Sequence, residues 1–380
     1  MDAAVTCPQC SAQVGDGEQY CEACGAELQT SPDTAGTAPA ASATTTAEAE
    51  AAGPPPEVRC HECGGTVAAD GYCSECGAKG RTLRDHFTEQ PASWVAGVCD
   101  RGVRHSRNED AMALDARTEP GSRAVLVVCD GVSSSTDSDV ASLAASRAAR
   151  DVLARSAGSG IGTEGAKVAA ISQAMGAAVD AANDAVIART SPGPGDPASC
   201  TFVAGVVDAS LLVVGWVGDS RAYWFPETGE PRMLSVDDSF AAEQIAEGTP
   251  RAEAESGPNA HAITRWLGSD APDHTPRTVS VSLDGPGWVL ICSDGLWNYC
   301  SEPADLSALV HHHAQASAEP LALSASLVDW ANAQGGADNI TVALARIGPS
   351  AASGSAPPAT TSEQPEHEMR EGTHDGDVHS

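Results

Sequence analysis

The chain has few basic residues and almost no lysine. Its 380 residues include 21 Lys and Arg against 52 Asp and Glu, which gives a formal net charge of −31. Only Lys79 and Lys167 are lysines. Binding to nucleic acid or to an anionic membrane through charge needs clustered basic side chains. The composition therefore argues against both kinds of partner, whereas a surplus of carboxylates suits a site that collects divalent cations.

The sequence also lacks an apolar run long enough to cross a membrane, which takes roughly 20 residues. Its first residues, Met-Asp-Ala-Ala-Val-Thr-Cys, have no basic stretch followed by an apolar segment, so they do not have the pattern of a signal peptide. Together these features predict a cytoplasmic protein with no membrane partner. Cysteines in that compartment are more often metal ligands or buried thiols than members of disulfides.

Eight of the thirteen cysteines lie before residue 77, and all eight belong to Cys-x-x-Cys pairs. Ten residues separate the first two pairs and nine separate the last two. Two such turns can complete a tetrahedral four-sulfur site for Zn²⁺, and redox dithiols are a poor explanation for four pairs in two matched quartets. The spacing predicts two structural zinc ions, one held by each of two quartets. These are Cys7, Cys10, Cys21 and Cys24, and then Cys60, Cys63, Cys73 and Cys76.

The segments around these quartets resemble double zinc ribbons, which bind protein or nucleic acid; the scarcity of basic residues favours protein. The ribbons are expected at residues 1–28 and 57–80. Between them, residues 29–56 are rich in Ala, Thr, Pro and Ser, which predicts a disordered linker. Residues 81–92 are expected to be a second linker, and residues 349–380 a disordered acidic tail.

Residues 93–348 have the pattern of one mixed domain of strands and helices. Several predicted strands between residues 200 and 235 are joined by turns too short for parallel crossovers. Two long helices are predicted at 137–155 and 164–189, and two more at 302–315 and 319–334. This order predicts an α+β fold, in which two stacked, mainly antiparallel sheets are flanked by helix pairs.

Several carboxylates stand at the ends of predicted strands. The apolar run 125–129 leads straight into Asp130 and Gly131, and Asp294 and Asp338 likewise adjoin Gly or Asn. A single Asp-Gly pair is most often only a turn. Three carboxylates at strand ends, however, offer the hard oxygen ligands that Mg²⁺ and Mn²⁺ prefer.

Glu109 and Asp110 add two more carboxylates to this set. Five carboxylates in one pocket would repel one another strongly unless cations neutralised them. Two metal ions sharing one water would do so, and they would lower the pKa of that water to about 7. Such a water could attack a phosphate ester, with a basic side chain neutralising the phosphate.

Five motifs resemble, in order along the chain, those of the metal-dependent protein Ser/Thr phosphatases of the 2C type, the PPM family. They are Asn108-Glu109-Asp110-Ala111, Val128-Cys129-Asp130-Gly131, Gly218-Asp219-Ser220-Arg221-Ala222-Tyr223, Cys292-Ser293-Asp294-Gly295-Leu296-Trp297 and Ala337-Asp338-Asn339-Ile340-Thr341-Val342. Each motif alone is weak, but their shared order makes the match specific. The resemblance implies an α-β-β-α sandwich with a dinuclear Mn²⁺ or Mg²⁺ centre between its sheets.

The resemblance also implies a role for each matching metal ligand. Asp130 is expected to bridge both metals, and the carbonyl of Gly131 to bind one of them. Asp294 and Asp338 are expected to bind the other. Asp219, together with Asp294, is expected to hold a third metal, which the family often shows.

Two further roles concern water and phosphate. Glu109 and Asp110 are expected to hold metal-bound waters. The family usually has a phosphate-binding Arg five residues before the Asp of the first motif, and here that position is His105, flanked by Arg104 and Arg107. Any of these three side chains could bind the phosphate.

The sequence therefore predicts a protein phosphatase that hydrolyses phosphoserine and phosphothreonine. Its zinc ribbons would recruit substrate or a partner, and the expected partners are phosphorylated proteins, either Ser/Thr kinases or their substrates. One alternative is a non-catalytic adaptor with a metal-binding phosphatase fold, and the intact carboxylate set argues against it. Another is a zinc-ribbon binder of nucleic acid with an accessory phosphatase domain, which the negative charge disfavours.

Overall fold

The computed structural model describes residues 5–6, 13–14, 59–60, 63–78, 80–156, 162–191, 195–257 and 259–348. Strand β1 (Val5–Thr6) pairs antiparallel with β2 (Gln13–Val14). The first cysteine quartet, the expected linker at 29–56 and the expected tail at 349–380 lie outside the described residues. The structure thus bears mainly on the second ribbon and on the large domain.

Two antiparallel sheets form the centre of the large domain. The six-stranded sheet contains, in spatial order, β11 (Arg232–Met233), β10 (Arg221–Pro226), β14 (Gly287–Cys292), β15 (Ile340–Ile347), β4 (Val95–Asp100) and β3 (His86–Ala92). The five-stranded sheet contains β13 (Arg277–Ser282), β9 (Leu211–Val217), β8 (Phe202–Asp208), β6 (Arg123–Cys129) and β5 (Ala111–Ala116). A short pair, β7 (Ser199–Cys200) and β12 (Leu267–Gly268), lies apart from both.

The sheets stack face to face because their strands are apolar on both sides. Along β6, Leu126 and Val128 point into the core between the sheets, where they join Trp224 and Ile291 of the opposite sheet. The alternate residues of β6, including Val127, point to the outer face. A strand buried on both faces has a continuous apolar sequence, and this is why the apolar run before Asp130 predicts a strand.

Helices cover both outer faces. α1 (Ser138–Arg155) and α2 (Glu164–Arg189) pack on the five-stranded sheet. α6 (Pro303–Ala314) and α7 (Pro320–Gln334) pack on the six-stranded sheet. Both α6 and α7 begin with proline, whose missing N–H costs nothing at the first helical position. The layers run α-β-β-α, so the predicted fold is confirmed.

Three short helices complete the domain. α3 (Phe240–Ala246) and α4 (Arg251–Ala254) lie in the excursion between β11 and β12, and α5 (Asp294–Trp297) follows β14 directly. Among the helices in the described ranges, none combines the length and the apolar character that a bilayer crossing requires.

The expected second linker at 81–92 is wrong, because this segment belongs to the large domain. Its second half is β3, which pairs with β4 at the edge of the six-stranded sheet. Its first half is fastened by hydrogen bonds from Thr82 to the Asp85 carboxylate and by an ion pair from Arg81 to Asp100 at 3.0 Å. The sequence concealed this strand because an edge strand is half exposed and tolerates proline, here Pro91.

Candidate metal centres

The four cysteines of the second quartet lie together, as the sequence predicts. All four Sγ atoms lie within 4.8 Å of one another. The Sγ atoms of Cys60 and Cys76 are 3.6 Å apart, and those of Cys63 and Cys73 are 3.5 Å apart. Four sulfur atoms in this arrangement fit the tetrahedral Zn²⁺ site of a zinc ribbon.

The backbone shapes this sulfur cluster. Gly64 and Gly77, each directly after the second cysteine of a pair, have φ angles of 77° and 74°, which glycine adopts without strain. Hydrogen bonds from the backbone amides of Cys76 and Glu75 lower the pKa of Cys73 to about 7. The amide of Gly65 acts likewise on Cys63, but the other sulfur atoms outweigh it and raise the pKa of Cys63 to about 12. A bound cation would stabilise the deprotonated thiolates, because thiols lose their protons when they ligate a metal.

The second centre forms where strand ends of the two sheets meet. Asp110 directly precedes β5, Asp130 directly follows β6, and Asp219 lies between β9 and β10. From the other sheet, Asp294 follows β14 and Asp338 precedes β15. The sandwich therefore brings these carboxylates, which are far apart in sequence, to one of its edges.

Asp110 links the two sheets at this edge. Its Oδ2 accepts hydrogen bonds from the hydroxyls of Ser293 at 2.6 Å and Thr341 at 2.7 Å, which lie beside each other on the opposite sheet. Its Oδ1 is buried and has no hydrogen-bond partner. An orphaned buried carboxylate oxygen is costly, so this atom indicates that a further ligand belongs here.

The carboxylates strongly raise one another's pKa values. Burial raises the pKa of Asp130 well above its usual range, and the charges of Asp110, Asp294, Asp338 and Asp219 raise it further. The pKa of Asp294 is raised in the same way. Burial and neighbouring acids raise the pKa of Asp110 to about 6 and that of Asp219 to about 7. Cations between its members would relieve this repulsion at neutral pH.

The donors at this edge fit Mn²⁺ or Mg²⁺. All are hard oxygen atoms, the kind that these ions prefer. Gly131 must be glycine, because a Cβ there would lie 2.6 Å from the carbonyl oxygen of Glu109. The acidic oxygens are spread more widely than the sulfurs, since within the described residues only the cysteine quartet gathers three or more ligand atoms within 4.8 Å. A spread set of carboxylates suits two ions better than one.

Glu109 is held by groups of its own loop and of α1. Its Oε1 accepts hydrogen bonds from Arg107 Nε at 3.0 Å, Arg107 Nη2 at 2.7 Å and Ser138 Oγ at 2.7 Å. Its Oε2 accepts one from Ser133 Oγ at 2.8 Å. Burial would raise the pKa of Glu109, but these hydrogen bonds and the charge of Arg107 together lower it. Glu109 is therefore ionised, and Arg107 is already engaged.

The three candidate phosphate ligands occupy different places. His105 faces the carboxylates, with Nε2 at 3.2 Å from Asp338 Oδ1 and Nδ1 at 3.7 Å from Glu109 Oε2. Arg107 is bound to Glu109, and Arg104 is exposed with its guanidinium beside Gly335. Of the three, His105 is the one that lies between the carboxylates of Asp338 and Glu109.

Several residues with structural roles carried no sequence assignment. Asn339 accepts a hydrogen bond from the backbone N–H of Glu109 at 2.7 Å and donates to the carbonyls of Arg101 and Arg107 at 2.7 and 3.1 Å. It thereby fixes the loop that carries His105. Ser293, Thr341 and Asn339 could have been found from the sequence only by their positions, because all three lie within the motifs that resemble those of the PPM family.

Without divalent cations, the large domain is expected to be more stable at pH 5 than at pH 7.5. The pKa values of Asp110 and Asp219, about 6 and about 7, lie above the value of 3.8 for an unperturbed Asp. The folded state therefore binds more protons in this window, so stability falls as pH rises through it. Melting temperatures followed by tryptophan fluorescence should differ by about 5 °C or more, and saturating Mn²⁺ should raise the value at pH 7.5 most.

Two variants separate this effect from the general repulsion of an acidic protein. Asp219→Asn should reduce the pH difference, whereas Asp284→Asn, at an exposed carboxylate away from the site, should leave it unchanged. All seven tryptophans lie beyond residue 93, so the signal reports on the large domain. A metal-free wild-type protein that melts higher at pH 7.5 would contradict the raised pKa values.

Family comparisons agree with both centres. A family model described as protein phosphatase 2C matches residues 101–332, and one described as double zinc ribbon matches residues 7–79. The serine/threonine phosphatase stp of Listeria innocua is 32% identical over 146 residues, which are 38% of this chain and 55% of that protein. The chain thus spans about half the length of the curated relatives it matches.

Solved structures share the architecture of the large domain. The serine/threonine phosphatase of S. agalactiae superposes with a TM-score of 0.54 at 23% identity, over 69% of this chain and all of that one. The catalytic domain of the phosphatase PstP, solved in complex with two manganese ions, superposes with a TM-score of 0.51 at 24% identity, over 67% of this chain and 97% of that one. At these identities the likeness shows the fold.

Proposed function

Since the chain belongs to the protein phosphatase 2C family, we propose that it hydrolyses phosphoserine and phosphothreonine esters in proteins, using a water activated by two Mn²⁺ or Mg²⁺ ions. One observation carries this proposal: buried, mutually repelling carboxylates converge at one edge of the sandwich. The curated relatives are serine/threonine phosphatases, and PstP was solved with two manganese ions.

The proposed ligands are those that the motifs name. Asp130, the Gly131 carbonyl, Asp294 and Asp338 would hold the two ions, with Asp130 as a ligand of both. Asp219, whose pKa the neighbouring carboxylates help to raise, would help Asp294 to hold a third ion. When bound, the pair of ions lowers the pKa of a shared water to about 7, which supplies the nucleophile.

In this proposal Asp110 and Glu109 both orient water. They differ in how many of their carboxylate oxygens are free to accept a hydrogen bond. Asp110 has one oxygen fixed by Ser293 and Thr341 and one buried oxygen without a partner. That free Oδ1 is an acceptor for a water in the site. Glu109 has three donors on one oxygen already, so only its Oε2 has capacity to spare.

His105 is the proposed phosphate ligand of this chain. Its ring lies between Asp338 and Glu109, where it can donate a hydrogen bond to a phosphate oxygen that does not react. Arg107 is bound to Glu109 through Nε and Nη2, and the Arg104 guanidinium lies beside Gly335.

The zinc ribbons are proposed to bind proteins and to bring phosphorylated partners, kinases or their substrates, to the catalytic domain. The acidic charge supports protein over nucleic acid as the partner. The ion pair between Arg81 and Asp100 begins only five residues after the last ribbon cysteine, Cys76. A partner on the second ribbon would therefore lie close to the loop that carries His105.

Phosphate release from a phosphothreonine peptide tests the proposal. The purified chain is expected to release phosphate with Mn²⁺ and not after Mn²⁺ and Mg²⁺ are removed. His105→Ala should lower kcat/KM roughly 10-fold to 100-fold, mostly through KM, because it deletes a hydrogen bond to a charged group.

Arg104→Ala is the matched control and should stay within about twofold of the wild type, since among the described residues Arg104 forms no ion pair with a carboxylate of the site, whereas His105 approaches two. If the wild type releases no phosphate from peptides or from an aryl phosphate, the enzyme proposal fails and the adaptor alternative gains. If Arg104→Ala has the larger effect, His105 is not the phosphate ligand.

A further inference from the structure

An apolar pocket of about 140 Å³ lies between α3 and the strands β10 and β11. Met233, Val236 and Ile245 contribute to its wall. The pocket exists because α3 presents small side chains here, Ala242 and Ala246 among them, where larger ones would fill the space. Apolar cavities of roughly 150 Å³ can hold a benzene-sized group, so this one has room for a single apolar side chain.

The floor of the pocket is a neutralised arginine. Arg221, which is 1% exposed, binds the Asp237 carboxylate through Nε at 3.0 Å and Nη2 at 2.7 Å. Its Nη2 also donates to Glu255 at 3.0 Å, and its Nη1 donates to the hydroxyl of Ser301 at 3.0 Å and to the carbonyl of the same residue at 3.4 Å. All five N–H groups therefore have acceptors. Arg221 therefore has no free donor for a second phosphate, and the apolar wall beside it favours an uncharged group.

A second cavity, of about 280 Å³, lies beside this pocket and reaches Asp338 of the carboxylate site. Glu255, His261 and Trp297 line both spaces, and Asp338 lines the far end of the second. The two cavities therefore adjoin each other. A peptide whose phosphate reaches Asp338 would pass His261 on its way to the apolar pocket.

Trp297 contacts both the apolar pocket and the carboxylate site. Its indole Nε1 donates to the carbonyl of Asp219 at 3.1 Å, and its ring lies 3.5 Å from the Arg221 guanidinium. It is 4% exposed, so its position is fixed. The distance between the apolar pocket and the carboxylates is thus set by a rigid side chain, as a specificity pocket requires.

The rim of the pocket is apolar and open to solvent. Val236, which lines the pocket, is 54% exposed, and Phe240, the first residue of α3, is 41% exposed. Exposed apolar side chains around an unfilled apolar pocket mark a place where another apolar group binds. On the basis of the phosphatase function proposed above, we propose that this pocket binds one apolar side chain of the phosphoprotein substrate and so determines sequence preference.

A set of phosphothreonine peptides tests this pocket. The peptides differ at one position, which carries Ala or Leu, and the position is scanned over four residues on each side of the phosphothreonine. The full chain with Mn²⁺ should show, at one position, a kcat/KM for Leu that is about 10-fold to 100-fold above that for Ala, from burial of the larger side chain. An aryl phosphate, too small to reach the pocket, reports on catalysis alone.

Three variants locate the effect. Ala242→Leu fills the pocket and should bring the Leu-to-Ala ratio of kcat/KM close to one. Ala252→Leu makes the same change at an exposed position of α4 that does not line the pocket, and it should keep the wild-type ratio. Ile245→Ala enlarges the pocket and should move the preference from Leu towards Phe or Trp.

The outcomes separate this proposal from the enzyme proposal. Equal kcat/KM for Leu and Ala at every position, in a protein that hydrolyses the aryl phosphate, would overturn the pocket and leave the phosphatase function standing. An unchanged Leu preference in both Ala242→Leu and Ile245→Ala would do the same. No hydrolysis of the aryl phosphate would overturn the phosphatase function, and the substrate pocket with it.

Discussion

Asp130→Asn is expected to lower Mn²⁺-dependent phosphate release at least about 1,000-fold and, in the absence of metal, to raise the melting temperature. The carboxylate interacts with Asp110, Asp294, Asp338 and Asp219, which together with burial raise its pKa. An amide cannot bridge two cations, so the several kcal/mol that the ions give the reaction are lost. The same amide removes one of the charges that repel one another, so the metal-free domain becomes more stable at pH 7.5.

Opposite changes in activity and stability distinguish this result from misfolding, which would lower both. Calorimetric titration with Mn²⁺ should show that Asp130→Asn binds fewer ions, or binds them far more weakly. Asp284→Asn, at an exposed carboxylate that precedes β14 while Asp294 follows that strand, should match the wild type in both measurements. Wild-type turnover in Asp130→Asn would remove Asp130 from the site and end the two-metal assignment.

Cys73→Ser is expected to remove one of the two proposed zinc ions and to unfold the second ribbon. Among the described residues from 59 to 80, the only buried side chains other than glycine are those of Cys60 and Cys73, so no aliphatic or aromatic core supports the segment. Zinc binding of this kind contributes about 10–16 kcal/mol at neutral pH, which far exceeds what so small an apolar core could supply.

Zinc content per chain and cleavage by trypsin after Arg59 measure this loss. Cys73→Ser should contain about one zinc fewer than the wild type and be cut faster. Cys300→Ser, at a half-buried cysteine outside both quartets, should keep the wild-type values. The melting transition seen by tryptophan fluorescence should barely move, because the large domain has cores of its own. Full zinc content in Cys73→Ser would show that this quartet is not the site.

The agreement between sequence and structure is best where local pattern and chemistry coincide. The buried run before Asp130 forms β6, and the second cysteine quartet gathers as its spacing predicts. The layer order also follows from short turns and paired helices. In each case the signal lies within a few residues, and backbone geometry allows few alternatives.

Sequence and structure disagree at the edge strand β3, which is half exposed and lacks the apolar pattern that predicts a strand. β3 reads as a linker because only Phe87 among its residues is large and apolar. Its backbone hydrogen bonds come from pairing with β4, and the sequence of β3 does not predict this pairing. The ion pairs of Arg81 and Asp85 cannot be predicted from the sequence either, because a single Arg or Asp has many possible partners.

The sequence by itself determined the kinds of ligand: soft sulfur in matched pairs at one end, and hard carboxylate oxygens at strand ends in the body. Only the tertiary structure decided which basic side chain faces those oxygens. Arg104, His105 and Arg107 lie within four residues, and their directions depend on partners far along the chain. Glu109 captures Arg107, while Asn339, 230 residues away, fixes the loop and leaves His105 beside Asp338. Side-chain direction is set by such long-range contacts, and these exist only once the sheets have stacked.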